Sequence, residues 1–378
     1  MVVGLGFCGL LLALDLGRRE PLPAAPRGQW PLASTDVSSG PLVAQARGHI
    51  PMPANTPAAH ASSLLAMPPG HPSTLMAFWF AGSRESAPDV QIAASQFDRA
   101  SQRWSAARFV VNRYEAGAAL GFGLRRLGNP VAWRDAQGRI HLFVVATGLG
   151  GWAAGRILHL KQVNEGHDFS QLEFRPVRVL PLSWLWDTSH LVRAMPLPLA
   201  DGGMILPAYF ELGMKYPVAL RFDAAGEFRG MVRMSSRGHL LQPTLLMRSE
   251  TDWLALMRDN SPRGQLAAAQ TFDGGQHWQD LPDLGLINPD ASVAGLAIQP
   301  RTLFLAHNPL PHSRTALDLS VSPDGQQWTL LQSLERGDGA SEYSYPSLAW
   351  ADNSLWVSYT DQRRRIAWQR FSPSPVPH

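Results

Sequence analysis

The chain has 378 residues, enough for two or three average domains or for one closed β architecture. Its 33 glycines, 31 prolines and 13 tryptophans, with 17% charged and 45% hydrophobic residues, describe a well-buried chain cut into short pieces by turns. That composition argues against helical layers and for an all-β fold. A formal net charge of +3 is too small for a nucleic-acid footprint, and the basic run Arg363–Arg365 is short; the single cysteine, Cys8, excludes an intrachain disulfide and a cysteine-based metal site.

Residues 1–20 contain an apolar run from Met1 to Leu14, the length of a signal-peptide core and too short to span a bilayer comfortably. No Lys or Arg leads it, and Arg18 and Arg19 follow it. The segment reads as an export signal, with a short anchor or a buried strand as the alternatives. The expected location is therefore exported, periplasmic or tethered to a membrane at the N-terminus only. Residues 21–57 are rich in Pro, Ala and Ser and read as a linker. From there to residue 378, short apolar or alternating runs such as STLMAFWFAG, RIHLFVVATG, GMILPAYFE, DWLALMRDN, RTLFLAHN and SLWVSYTD read as strands. No long stretch carries a helical period with caps.

Two turns repeat with a spacing near fifty residues. In TFDGGQHW they are Thr271, Asp273, Gly275 and Trp278; in SPDGQQW they are Ser322, Asp324, Gly325 and Trp328. The Asp accepts from backbone amides, the Gly takes a positive φ and the Trp buries its ring, so the motif locks a hairpin. Weaker relatives stand near Asp98, Gly166 and Asp223. Five turns and a last group of strands predict six blades of a β-propeller.

These turns resemble the Asp box, or BNR repeat, of sialidases. The resemblance extends through AHASSLLAMPPG, FWFAGSRESAPDV, GNPVAWRDAQGRIHLFV, LLQPTLLMR, SRTALDLSVSPDGQQW and EYSYPSLAWADNSLWVSYTD, in the order found in bacterial sialidase-like BNR proteins. It implies a six-bladed propeller of the sialidase type with no metal or other cofactor. The expected partner is a carbohydrate, anionic if the arginines are retained for its carboxylate.

Sialidases grip that carboxylate with three arginines and use a Tyr nucleophile, a Glu that assists it and an Asp as acid/base. Arg258 in LALMRDN and Arg314 in SRTALDLS match two of the arginines, since a guanidinium fork meets a carboxylate in a bidentate way. The Arg-Ile-Pro segment of the third is missing, and His60 occupies the comparable strand. Tyr343 and Tyr345 in EYSYPSL both stand where the nucleophile falls, and the alternative for each is an aromatic filling a blade interface. Gln242-Pro243 replaces the Glu-Pro pair, and an amide cannot act as a base. The loop FAGSRESAPDV supplies Glu85 and Asp89 as acid/base candidates, with Glu211 or Glu342 as a second carboxylate. Three functions fit: a glycoside hydrolase acting on an acidic or modified sugar, a non-catalytic glycan- or protein-binding propeller, and a polysaccharide lyase using His60 and a Tyr.

Overall fold

A computed structural model describes residues 24–31, 41–148, 151–164, 166–183 and 187–374. The signal or anchor expectation for residues 1–20 lies outside the described residues. No helix among those described is long and apolar enough to cross a membrane.

The described strands form six antiparallel sheets. Blade 1 starts with Ala58–Ala66 on the axis and steps outward through Ser73–Gly82, Gln91–Asp98 and Arg103–Trp104. Blade 2 starts with Arg126–Arg134, blade 3 with His190–Val192, blade 4 with Leu240–Met247, blade 5 with Ala294–Gln299 and blade 6 with Tyr343–Ala351. Each innermost strand lies beside the next blade's inner strands, and the sixth returns to the first, so the ring is closed and its edges are short. Their burial follows from position: Ser73–Gly82 and Ile140–Thr147, second strands packed between blades, are buried on both faces and read as nearly continuous apolar runs.

Closure corrects the linker reading. Leu42–His49, inside that stretch, is the outer strand of blade 6 and pairs antiparallel with Arg365–Pro373. An outer strand is wetted along most of its length, so LVAQARGH shows no apolar face in the sequence.

The Asp boxes sit on the hairpins between the third and fourth strands of blades 4 and 5. Asp273 Oδ1 accepts from the amides of Gln276 and His277 at 3.0 Å each, Thr271 Oγ1 accepts from Gly275, and Trp278 donates its indole N–H to Gly275 O. The second box repeats this with Asp324, Ser322 and Trp328. Asp98 and Asp223 hold the same hairpin in blades 1 and 3. The relative near Gly166 is different: Asp168 caps the short 3-10 turn Phe169–Gln171.

Gly275 has φ 85°, and a Cβ there would lie 2.9 Å from Cζ3 of Trp253 in the core of blade 4. Gly275→Ala should therefore lose roughly 1–3 kcal/mol of stability in urea unfolding, from the left-handed backbone and the clash together. A loss within error of zero would show that the box is not a structural lock.

Candidate active site

The inner strands share one irregularity where they reach the pocket. In blades 1, 2, 4 and 6 the register slips at a bulge, between His60 and Ser63, Gly128 and Val131, Leu241 and Thr244, and Ser344 and Ser347. The bulged residues Ala61, Asn129, Gln242 and Tyr345 all have φ between 44° and 56°. In blades 3 and 5, Ser189 and Asp290 take positive φ just ahead of the inner strand. A bulge re-aims the side chains beside it. Here it turns His60, Asn129, Gln242 and Tyr345 toward one cavity at the axis, shared with Glu85, Trp152, Tyr209, Glu211 and Arg258.

Tyr345 stands at the middle of this group. Its Oη lies 3.4 Å from Nε2 of Gln242 and 3.4 Å from Nη1 of Arg258. Gln242 also donates to Tyr209 Oη and accepts from Arg258 through Oε1 at 3.1 Å. The amide thus links two phenols and a guanidinium but provides no base. Arg258 is held from behind by Asp290, Nε to Oδ1 at 2.5 Å, and Asp290 and the phenols hold it firmly cationic against the opposing effect of burial. Arg314 donates to Asp290 O at 2.6 Å and stands 6.0 Å from the centroid of the Tyr345 ring. Arg258, Arg314 and Tyr345 therefore lie close together.

Three side chains complete the surroundings. His60 is buried with its ring 4.2 Å from that of Tyr345, and neither ring nitrogen has a hydrogen-bond partner among the described residues. Burial, then Arg363, Arg193 and Arg314, pushes its protonation well below the usual imidazole range. Glu211 is half-buried at the pocket wall, and burial pushes its carboxyl up. Trp152 closes the side; its ring lies where a Cβ on Gly128 would stand 2.5 Å from Cη2, so the Gly of the GNP segment is what admits it.

Not every candidate reaches the cavity. Asp89 is exposed and spends both carboxylate oxygens on Ser83, accepting from its N and its Oγ at 2.9 Å each. It organises its own loop and does not line the pocket. Tyr343 turns away as well, its ring packing edge-on against Tyr359 at 6.4 Å and its carbonyl accepting from Asn308. Alternation along the strand explains this: Tyr345 faces the axis only because the bulge follows Ser344. Glu85 does line the pocket but is ion-paired with Arg363, which also donates to Glu342 Oε2 at 2.7 Å.

Residues 73–357 match the BNR repeat-like domain. The chain belongs to that family. No curated protein matches its sequence. Among solved structures it superposes on the Hadza microbial sialidase Hz136 with a TM-score of 0.65 at 16% identity, over 84% of this chain and 66% of that one. The Trypanosoma rangeli sialidase in complex with the inhibitor DANA gives 0.67 at 11% identity, over 87% and 60%. A protein of unknown function from Dyadobacter fermentans DSM 18053 gives 0.66 at 11%, over 88% and 99%. The likeness at these identities is one of fold, and the chain spans 60–66% of the length of the two sialidases.

Two arginines of this BNR propeller escape sequence reasoning. Arg193, on the chain just after the inner strand of blade 3, is buried in the channel under Tyr345 and donates to the carbonyls of Ser62, Tyr345 and Pro346 at 3.2, 2.6 and 2.8 Å. Its guanidinium lies 5.2 Å from the Tyr345 centroid, and burial lowers its pKa to about 10. Arg363 comes from a hairpin whose basic run reads as a solvated turn. Neither carries a motif; both are recognisable only once the blades close.

The His60 environment has a direct test. Its ring-proton resonances, assigned with His60→Gln, should remain those of a neutral imidazole at about pH 6.5, where a free histidine is half protonated. Titration at the free-histidine value would contradict the buried, cation-flanked setting.

Proposed function

We propose that the chain is a glycoside hydrolase acting on an acidic sugar of a glycan. The carboxylate of the sugar is taken by Arg258 and Arg314, and Tyr345 faces the anomeric carbon. The observation that carries this reading is the position of the Tyr345 hydroxyl, within reach of Arg258 and Gln242 and with Arg193 and Arg314 near its ring. A phenol is a better partner than a carboxylate for a carbon that carries an anion, because it approaches uncharged. As Oη bonds to the anomeric carbon its proton passes to solvent and the bond to the leaving oxygen breaks, with the Gln242 amide and the Arg258 guanidinium aimed at Oη throughout; water then cleaves the Tyr345–sugar bond and frees the sugar.

Glu211 is the group suited to protonate the leaving oxygen. It lines the cavity, makes no ion pair among the described residues, and burial keeps its proton to higher pH than an exposed carboxyl. The pocket, about 170 Å³, is smaller than the ~300–1,000 Å³ of drug-sized sites, which suits one terminal sugar better than the interior of a polymer. The reading includes action outside the cytoplasm, on the strength of the apolar run Met1–Leu14 alone.

Gln242 favours a second reading. An amide in place of the assisting Glu leaves the pocket able to bind an acidic sugar without cleaving it. Turnover separates the two.

On a panel of acidic glycans, the hydrolase reading predicts release of reducing sugar, lost by at least about 10³-fold in Tyr345→Phe and changed less than about twofold in Asp89→Asn. Binding across the panel without release selects the second reading. Because Glu211 must be protonated, kcat should fall as pH rises through its raised pKa, and Glu211→Gln should lack that limb along with most of the rate. An alkaline limb that survives in Glu211→Gln would remove Glu211 from the acid's role.

A further inference from the structure

Arg193 is a buried cation that does not line the Tyr345 cavity. It directly follows the first strand of blade 3, His190–Val192, and is 3% exposed. Blade 3 stands opposite blade 6 in the closed ring of six, so the side chain reaches across the axis to Tyr345.

Its hydrogen bonds go where the sheets leave carbonyls over. Register passes from Ser344 to Ser347 in blade 6 and from His60 to Ser63 in blade 1, so Tyr345, Pro346 and Ser62 are skipped by the ladders. These three are the acceptors of Arg193: Nη2 donates to Tyr345 O at 2.6 Å and Pro346 O at 2.8 Å, and Nη1 to Ser62 O at 3.2 Å. A guanidinium suits this task because its donors point in fixed directions from one plane. Two residues on, Met195 Sδ accepts from Ser63 Oγ at 3.0 Å, which pins the same stretch of chain to blade 1.

The consequence falls on Tyr345. Its φ of 53° is one that a residue other than glycine holds only under constraint. Arg193 fixes the carbonyl of that residue, and its charge lies 5.2 Å from the ring centroid, near enough for a cation–π attraction. With its pKa lowered by burial to about 10, it remains charged at neutral pH. Gln242 and Arg258 stand 3.4 Å from the hydroxyl, and the His60 ring lies 4.2 Å from the phenol ring. Backbone, ring and hydroxyl are thus held from three other blades.

We propose that Arg193 is a positioning residue for Tyr345, aiming the phenol at the sugar through its backbone and ring without touching the sugar itself. This role rests on Tyr345 being the nucleophile. Loss of Arg193 then slows the chemical step and leaves sugar binding as it was.

The test compares the full wild-type chain with Arg193→Met, which removes the donors, and Arg193→Lys, which keeps a charged one. Three quantities are measured on each protein once unfolding curves show that it is folded. They are kcat on an acidic glycan, calorimetric affinity for the released sugar, and cross-relaxation between the Tyr345 and His60 ring protons, assigned with Tyr345→Phe and His60→Gln. Arg193→Met should lose about 10²-fold in kcat, the scale of roughly a 1 Å misplacement, keep its affinity within about twofold and lose the ring-to-ring signal. Arg193→Lys should recover at least about tenfold of that kcat. If Arg193→Met does not fold, Arg193→Gln is held to the same values. Unchanged kcat with the ring signal intact, or affinity falling in step with kcat, would overturn the role. If the wild-type chain releases no sugar, the hydrolase reading fails by itself; loss of the ring signal in Arg193→Met then still upholds the positioning of Tyr345, and its persistence overturns it.

Discussion

Everything at the centre of this molecule depends on a backbone conformation that most residues avoid. Ala61, Asn129, Ser189, Gln242, Asp290 and Tyr345, one for each blade, hold positive φ where the inner strands reach the pocket. For residues other than glycine this costs on the order of 1–2 kcal/mol each, so the surroundings must hold it in place. A bulge also leaves one amide without a ladder partner. In three blades that difficulty is removed by proline, which has no N–H: Pro130, Pro243 and Pro346 follow the bulged residue directly. In blade 1 the Ala61 amide finds Thr360 Oγ1 at 3.0 Å instead. Hydroxyls two residues further on bond to a neighbouring inner strand, Ser63 accepting from Ala132, Thr244 from Gly295 and Ser347 from Leu64. The pocket is thus fixed by contacts among blades rather than by any one of them.

The charges follow from that geometry. Arg193, with no carboxylate beside it among the described residues, would be an expensive group to bury, and three carbonyls around the bulges of blades 1 and 6 reduce the expense only in part. What it faces is the Tyr345 ring. With Arg258 and Arg314 it makes an axis that is cationic around the Tyr345 phenol, while His60 is kept neutral. Asp290 and Glu342 balance the outer side of this group and leave its inner side for an anion from outside. The carboxylates that remain differ in setting: Glu85 is paired to Arg363, whereas burial pushes the Glu211 carboxyl up.

Much of the architecture is legible in the sequence because it is written locally. An Asp box lies within eight residues, and strand runs broken by turns give the blades without any knowledge of their partners. Arg258, Gln242 and Tyr345 are legible for a related reason, since each sits at a fixed offset from a box or a proline. Asp89 and Tyr343 show the limit. Both are the right residue type in the right segment, but a hydrogen bond to Ser83 and one step of strand alternation set them outside the cavity. Arg193, Arg363 and the strand Leu42–His49 lie beyond that limit altogether. Their partners are about 20 to over 300 residues away in sequence, and only ring closure brings them together.

The central claim is that the axis of the propeller is an anion pocket built around Tyr345. Calorimetric titration of the chain with acidic monosaccharides and their neutral parent sugars tests it most directly, with Arg258→Gln in parallel. The account predicts that an acidic sugar binds, that its neutral parent does not, and that Arg258→Gln loses the difference. Equal binding of acidic and neutral sugars, binding unchanged in Arg258→Gln, or no binding of any acidic sugar would contradict it.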